Sequence, residues 1–193
     1  MWDKNVREFF DARAALWDEK MVINEEVIRI ILDKAGVEKG KDILDVACGT
    51  GVMIPFYLQR DVSSIDGIDI SPEMVKIAKE KFESENVKFY CDNAADFDYK
   101  KLYDCIIIYN AFPHFDEPLR LFEHLTRHLR KGGTLTVCHG MSRERIIAHH
   151  ENVSHVSHLL PEADELKEMM GKYLRVVSVI SDEEMYLVSG IKE

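Results

Sequence analysis

Ile43-Leu44-Asp45-Val46-Ala47-Cys48-Gly49-Thr50-Gly51 reads as a buried strand that runs straight into a glycine turn. A short apolar run that ends in small residues and leads into a helical stretch is the strand–turn–helix unit of an open α/β sheet. In such a sheet the junction lies at the carboxyl edge, where ligands bind. Glycine there takes positive φ and lets the backbone approach a ligand, and the leading N–H groups of the next helix face the same spot. The dinucleotide fingerprint requires G-x-G-x-x-G. Here Gly49 and Gly51 are followed by Ile54, and Ala47 stands where a further glycine would fall. Close binding of a pyrophosphate is therefore disfavoured. Asp45, inside the strand, suits a cationic or amine ligand better than a phosphate.

The rest of the chain fits around this unit. Upstream, Val6, Phe9, Phe10, Arg13 and Trp17 repeat at helical spacing over 3–19, and Val27, Ile28, Ile31 and Leu32 do so over 24–35, which Gly36 ends. Downstream, 51–60 reads as a helix, 64–69 as a strand, 72–84 as a helix and 86–91 as a strand. The run Tyr103-Asp104-Cys105-Ile106-Ile107-Ile108-Tyr109 has the look of a central strand buried on both faces. A helix over 117–130 and a strand over 133–139 follow, with Gly132-Gly133 as the turn between them. Strands separated by helices imply a doubly wound parallel sheet. The end differs: after a helix over 162–171, the β-rich runs 173–180 and 184–190 are joined by Ser181-Asp182-Glu183, a link short enough to force antiparallel pairing.

Asp45-Val46-Ala47-Cys48-Gly49-Thr50-Gly51 resembles motif I of the class I S-adenosylmethionine (SAM) methyltransferases. The resemblance implies an α/β, Rossmann-like, doubly wound seven-stranded sheet, mostly parallel, with an antiparallel C-terminal hairpin strand. It implies SAM as cofactor, S-adenosylhomocysteine (SAH) as product, and a turn of Ala47, Cys48, Gly49, Thr50 and Gly51 around the methionine part, with Asp45 contacting its amino group directly or through water. Asp69, 18 residues past Gly51, ends the second strand and is placed to bind both ribose hydroxyls. Ile70 follows it. Ser71 caps the next helix, and Met74 is placed to pack on adenine. The third strand ends in Asp92-Asn93-Ala94, where the family usually shows Gly-Asp-Ala, so Asn93 or Asp92 is expected to take the adenine amino group.

The fourth strand runs into Asn110-Ala111-Phe112-Pro113-His114. In the family this loop lies between methyl group and acceptor. The Asn-Pro-Pro-Tyr signature of DNA-adenine and protein-glutamine enzymes is absent, which points to a small-molecule acceptor. The reaction is an in-line attack on a sulfonium methyl, served mainly by positioning and, for a protic acceptor, by a general base. His114 is the first candidate base, with His139 and His150 as further catalytic candidates and Asp116 behind them. Asn110 is assigned to the cofactor, and Trp17, Phe112 and His114 to the acceptor. Five of eight histidines, His139, His149, His150, His155 and His158, crowd the stretch after the fifth strand. Without an H-x-x-x-H pair or matched cysteines they are expected to form a polar lid rather than a metal site.

These readings divide one domain into a helical lid (1–36), a cofactor-binding core (37–139), a His-rich insert (140–160) and a C-terminal helix with a hairpin (161–193). The formal net charge of −10 opposes nucleic acid as a substrate. Four cysteines without a CxxC pair read as reduced core residues. Neither a signal peptide nor a membrane-length apolar run is present, so the expectation is a soluble cytoplasmic protein, monomeric or homodimeric. The rival readings are a methyltransferase acting on protein or RNA, a SAM-binding protein without activity, and an NAD-binding oxidoreductase, which the missing third glycine disfavours.

Overall fold

The computed structural model describes residues 1–150 and 153–193, apart from the side chains of Lys20 and His150. At its centre β1 (Asp42–Val46) pairs in parallel with β2 (Ser64–Asp69) on one side and β4 (Tyr103–Tyr109) on the other. β3 (Val87–Cys91) extends the sheet beyond β2, and β5 (Leu129–His139) extends it beyond β4. β7 (Tyr186–Ile191) pairs antiparallel with both β5 and β6 (Arg175–Ser181), so β7 alone runs against the other six strands. The order is β3-β2-β1-β4-β5-β7-β6. It reverses between β1 and β4, the switch point at which an α/β sheet opens a ligand crevice.

The apolar alternation along each strand divides the core into two layers. Ile43, Ile65, Cys105, Ile107 and Leu187 face α2 (Glu25–Lys34), α3 (Ile54–Leu58) and α4 (Pro72–Lys81). Leu44, Val46, Ile106, Ile108, Val137 and Val188 face α5 (Pro118–Arg127) and α7 (Ala163–Met170), with Ile146 of α6 (Arg143–His150). α2 shows why the pattern works. Asn24 caps it, its side chain accepting from Val27 N–H at 3.3 Å, and Val27, Ile28, Ile31 and Leu32 vanish into the core. Each such side chain contributes about 1.5–3 kcal/mol by leaving water.

Three elements depart from the sequence reading. The helix expected over 3–19 is α1 (Trp2–Asp11), followed by two 3₁₀ turns, Ala14–Leu16 and Asp18–Lys20. Tertiary anchors override the helical propensity here: the Asp11 carboxylate is tied to Ser71, and Phe10 packs edge to face on Trp17. The helix expected over 51–60 shrinks to Ile54–Leu58, because Gly51 at φ 87° keeps the chain turning. Gly132-Gly133 is no helix–strand turn but lies inside β5, which starts at Leu129. Gly132 takes φ 78°, and a Cβ on Gly133 would meet the Asp104 carbonyl at 2.8 Å, so the glycines let a bulged β5 lie against β4. Among the described residues no helix is long and apolar enough to cross a membrane, and all four cysteines are unbridged.

Candidate cofactor and acceptor site

A cavity of about 420 Å³ opens at the carboxyl ends of β1, β2, β3 and β4, beneath the N-terminal helix and turns. Its floor is made by four strand exits. Ala47, Cys48, Gly49 and Thr50 leave β1; Asp69 and Ile70 leave β2, with Met74 above them on α4; Asp92, Asn93 and Ala94 leave β3; Tyr109, Asn110 and Ala111 leave β4.

The centre of the floor is Asp69, buried, with one oxygen accepting Gly49 N–H and the other Ser71 N–H, each at 2.9 Å. These bonds fix the carboxylate in one orientation. A carboxylate has about four lone-pair sites, so two remain for a vicinal diol. Burial, aggravated by the nearby Asp11 carboxylate, raises the Asp69 pKa to about 6 against the pull of the Ser71, Gly49 and Ile70 N–H groups. Gly51 does not line the cavity. Its role is conformational: at φ 87°, a Cβ would strike the Phe82 ring at 2.7 Å.

Asp45 departs from its expected place. It shares a strand face with Ile43, points under the glycine turn and is absent from the cavity wall. Its Oδ2 and the Tyr57 hydroxyl, both buried, fall short of a geometric hydrogen bond. They nevertheless face each other, so Tyr57 partly offsets the burial that drives Asp45 up to about 8, with Asp69 adding to the rise. Asp45 is thus a neutral acid at pH 7, stationed behind the turn.

The roof is the N-terminal segment, held down by three acids that each clasp a different floor loop. Asp3 accepts from the Asn93 amide at 2.8 Å. Asp11 accepts from the Ser71 hydroxyl at 2.5 Å. Asp18 accepts from Thr50 at 2.5 Å and from Lys81 at 2.7 Å. Burial works against the Asp18 charge, but these two donors hold its pKa below the ordinary carboxylate value. Trp17 and Phe10 line the cavity from above.

The histidines separate. His114 lines the cavity, edge-on to Phe10 at 4.9 Å. Its Nδ1 lies 2.8 Å from the Val156 carbonyl. A carbonyl only accepts, so Nδ1 carries a proton, and in the neutral form of the ring the lone pair is on Nε2. His139 is 2% exposed, packs against Tyr186 and does not line the cavity, because it shares a strand face with Val137 in the core. Phe112 likewise turns inward and stacks on Phe122. The side chain of His150 lies outside the described residues. His149 bonds to the Arg145 carbonyl, His155 meets the edge of Phe9, and His158 stacks on Trp2 and pairs with Asp116. Two of the insert histidines thus hold the lid, and no group of three metal-ligating side chains occurs among the described residues. Arg13 and Tyr109, which sequence reading left out of the site, line the cavity too.

Residues 43–133 match the family model of a methyltransferase domain. The chain is 29% identical to malonyl-[acyl-carrier protein] O-methyltransferase 1 of Ilyobacter polytropus, over 95% of this chain and 71% of that one. It is 32% identical to enzyme 2 of the same name and organism, over 68% of this chain and about half, 52%, of that one. Among solved structures, the DhpI–SAH complex shares the fold with a TM-score of 0.77 at 17% identity, over 97% of this chain and 95% of that one.

Proposed function

We propose that this chain, a class I SAM-dependent methyltransferase whose residues 43–133 match the methyltransferase-domain model, methylates an oxygen of a small acceptor admitted beside His114 and Asn110. The observation that carries the proposal is that His114 and Asn110 share one cavity with Asp69 and the Ala47–Thr50 turn. The names of the O-methyltransferases it resembles support an oxygen acceptor.

When bound, SAM would supply a methyl already activated on a sulfonium, passed to the acceptor oxygen with SAH as the leaving product. Asp69 would hold the ribose hydroxyls with the lone pairs its backbone donors leave over. The Ala47–Thr50 turn would take the amino-acid part, and Asn93, Ala94 and Met74 the adenine. Asp45 works on the cofactor only through the turn it supports. His114 takes the proton of a hydroxyl acceptor on Nε2, oriented by its Nδ1–H bond to Val156. Phe10 and Trp17 cover the reacting groups and keep water out.

The test is SAH release with a panel of hydroxy acids, carboxylic acids and amines. Turnover of at least one oxygen acceptor is expected, with His114→Gln lowering kcat about 10²-fold or more on hydroxyl acceptors and leaving SAH affinity intact. Turnover confined to amines, or a His114→Gln enzyme of full activity on a hydroxyl acceptor, overturns the proposal.

A further inference from the structure

The mouth of the cavity is built differently from its floor. Leu16, Val22 and Ile23 line the cavity, yet they are 54%, 86% and 45% exposed. Single exposed aliphatics are ordinary on a protein surface. Three from one short stretch, gathered on the rim of a catalytic cavity, form an apolar surface that gains free energy when an apolar group covers it.

Beside them stands Arg13, the one Lys or Arg among the described residues that lines the cavity. Its guanidinium lies 3.6 Å from the centre of the Phe9 ring and gives one hydrogen bond, 3.0 Å, to the Phe9 carbonyl. Phe9 sits one helical turn earlier, so ring and carbonyl together prop the guanidinium at the mouth. No carboxylate of the described residues pairs with it. The acids nearby are committed elsewhere: Asp3 to Asn93, Asp69 to Gly49 and Ser71, and Asp92 to the Asn93 N–H. A guanidinium has five N–H donors in a planar fork that matches a carboxylate or phosphate.

We infer that the methyl acceptor is an amphipathic anion, its acid group held by Arg13 and its apolar chain laid over Leu16, Val22 and Ile23. The inference deepens the proposed function and rests on it for identifying this cavity as the acceptor's entrance. The rim continues the wall of the cavity that holds His114, so the chain covering it belongs to the molecule that enters there. A second copy of the protein or a lipid surface would cover the rim without needing Arg13 at the mouth.

The experiment is calorimetric titration of the SAH-saturated protein with straight-chain carboxylates from butyrate to dodecanoate, below their micelle concentrations, and with neutral octanamide. Kd is expected to fall about threefold to fourfold per methylene, and octanoate to bind at least about tenfold tighter than octanamide. Arg13→Gln should erase the preference for the acid. Val22→Ser and Ile23→Ser should flatten the chain-length series, while SAH affinity and melting temperature stay as in the native chain, since these side chains are exposed. Binding indifferent to chain length or to Arg13 overturns the inference. So does a dimer that Val22→Ser dissociates, or binding to phosphatidylglycerol vesicles without affinity for octanoate. Absence of SAH binding would instead sink the methyltransferase reading; the carboxylate titration, repeated without SAH, would still judge the mouth.

Discussion

Ala47 and Asn110 leave the neighbouring strands β1 and β4 in the same left-handed conformation, φ 56° and 53°. Both line the cavity. For a residue with a Cβ that conformation costs about 1–2 kcal/mol. Asn110 offsets the cost, since its side-chain oxygen accepts Gly140 N–H at 3.0 Å. Ala47 has no side-chain polar group with which to do so. Strain of this kind persists where a site over-determines the backbone.

Ala47→Gly should therefore stabilise the protein by about 0.5–1 kcal/mol, the relief of strain exceeding the extra chain entropy of glycine in the unfolded state. Asn110→Ala should destabilise it by about 1–2 kcal/mol, because the left-handed turn then keeps its cost and loses the bond to Gly140. Urea unfolding measures both. Equal shifts of the same sign would show that the two turns are not strained alike.

Asp45 sets a pH dependence of opposite sign to that of an ordinary paired acid. Its folded pKa, about 8, lies above the ordinary aspartate value of 3.8. The stability it lends is thus complete below pH 3.8 and fades as pH rises towards 8. Asp45→Asn, a neutral mimic of the protonated acid, should be more stable than the native chain above pH 8 and should flatten the fall between pH 5 and 8. Melting temperatures across pH 5–9 decide it. SAH affinity should not change, because Asp45 stands outside the cavity wall; a tenfold loss would restore the direct contact that motif I suggested.

Asp69 should behave otherwise. Asp69→Ala should weaken SAH by at least about tenfold, the worth of hydrogen bonds to a charged acceptor. With a folded pKa of about 6, the native carboxylate gains a proton as pH falls through 6, so SAH affinity should decline there. In Asp69→Asn that decline should be missing. Calorimetry between pH 5 and 8 reads both effects.

The roof contacts should govern how long the ligand stays. Asp18→Ala removes the bonds to Thr50 and Lys81. Both partners of the ion pair are part-exposed, so the loss is discounted to roughly 1 kcal/mol, about a threefold to tenfold faster SAH release. Stopped-flow fluorescence of the tryptophans measures the rate. An unchanged rate would mean that the roof does not gate the cavity.

The sheet was legible in the sequence because each strand carried its own pattern: the unbroken apolar run of β4, the strand–turn of β1 and the short link before β7. The floor of the site followed, since strand exits at a switch point are fixed by topology. The failures share another cause. Asp45 and His139 sit one residue out of phase with the cavity, and only the face they share with Ile43 and Val137 reveals it. Strand alternation already contained that signal. Arg13, Tyr109 and the three clasping acids were missed for a different reason. Asp3 and Asn93 are 90 positions apart, and Trp2 and His158 are 156 apart. Nothing local marks such partners, although Asp3, Asp11 and Asp18 recur at seven- to eight-residue steps along one segment.

The three clasps have a thermodynamic consequence. A segment fastened separately to the exits of β1, β2 and β3 can fray only as those exits loosen, and a ligand that stiffens them suppresses the fraying by the same free energy. The first 20 residues are therefore an intrinsic reporter of occupancy: their amide exchange and their cleavage by trypsin at Arg7 and Arg13 will slow in proportion to the fraction of protein that holds a nucleoside.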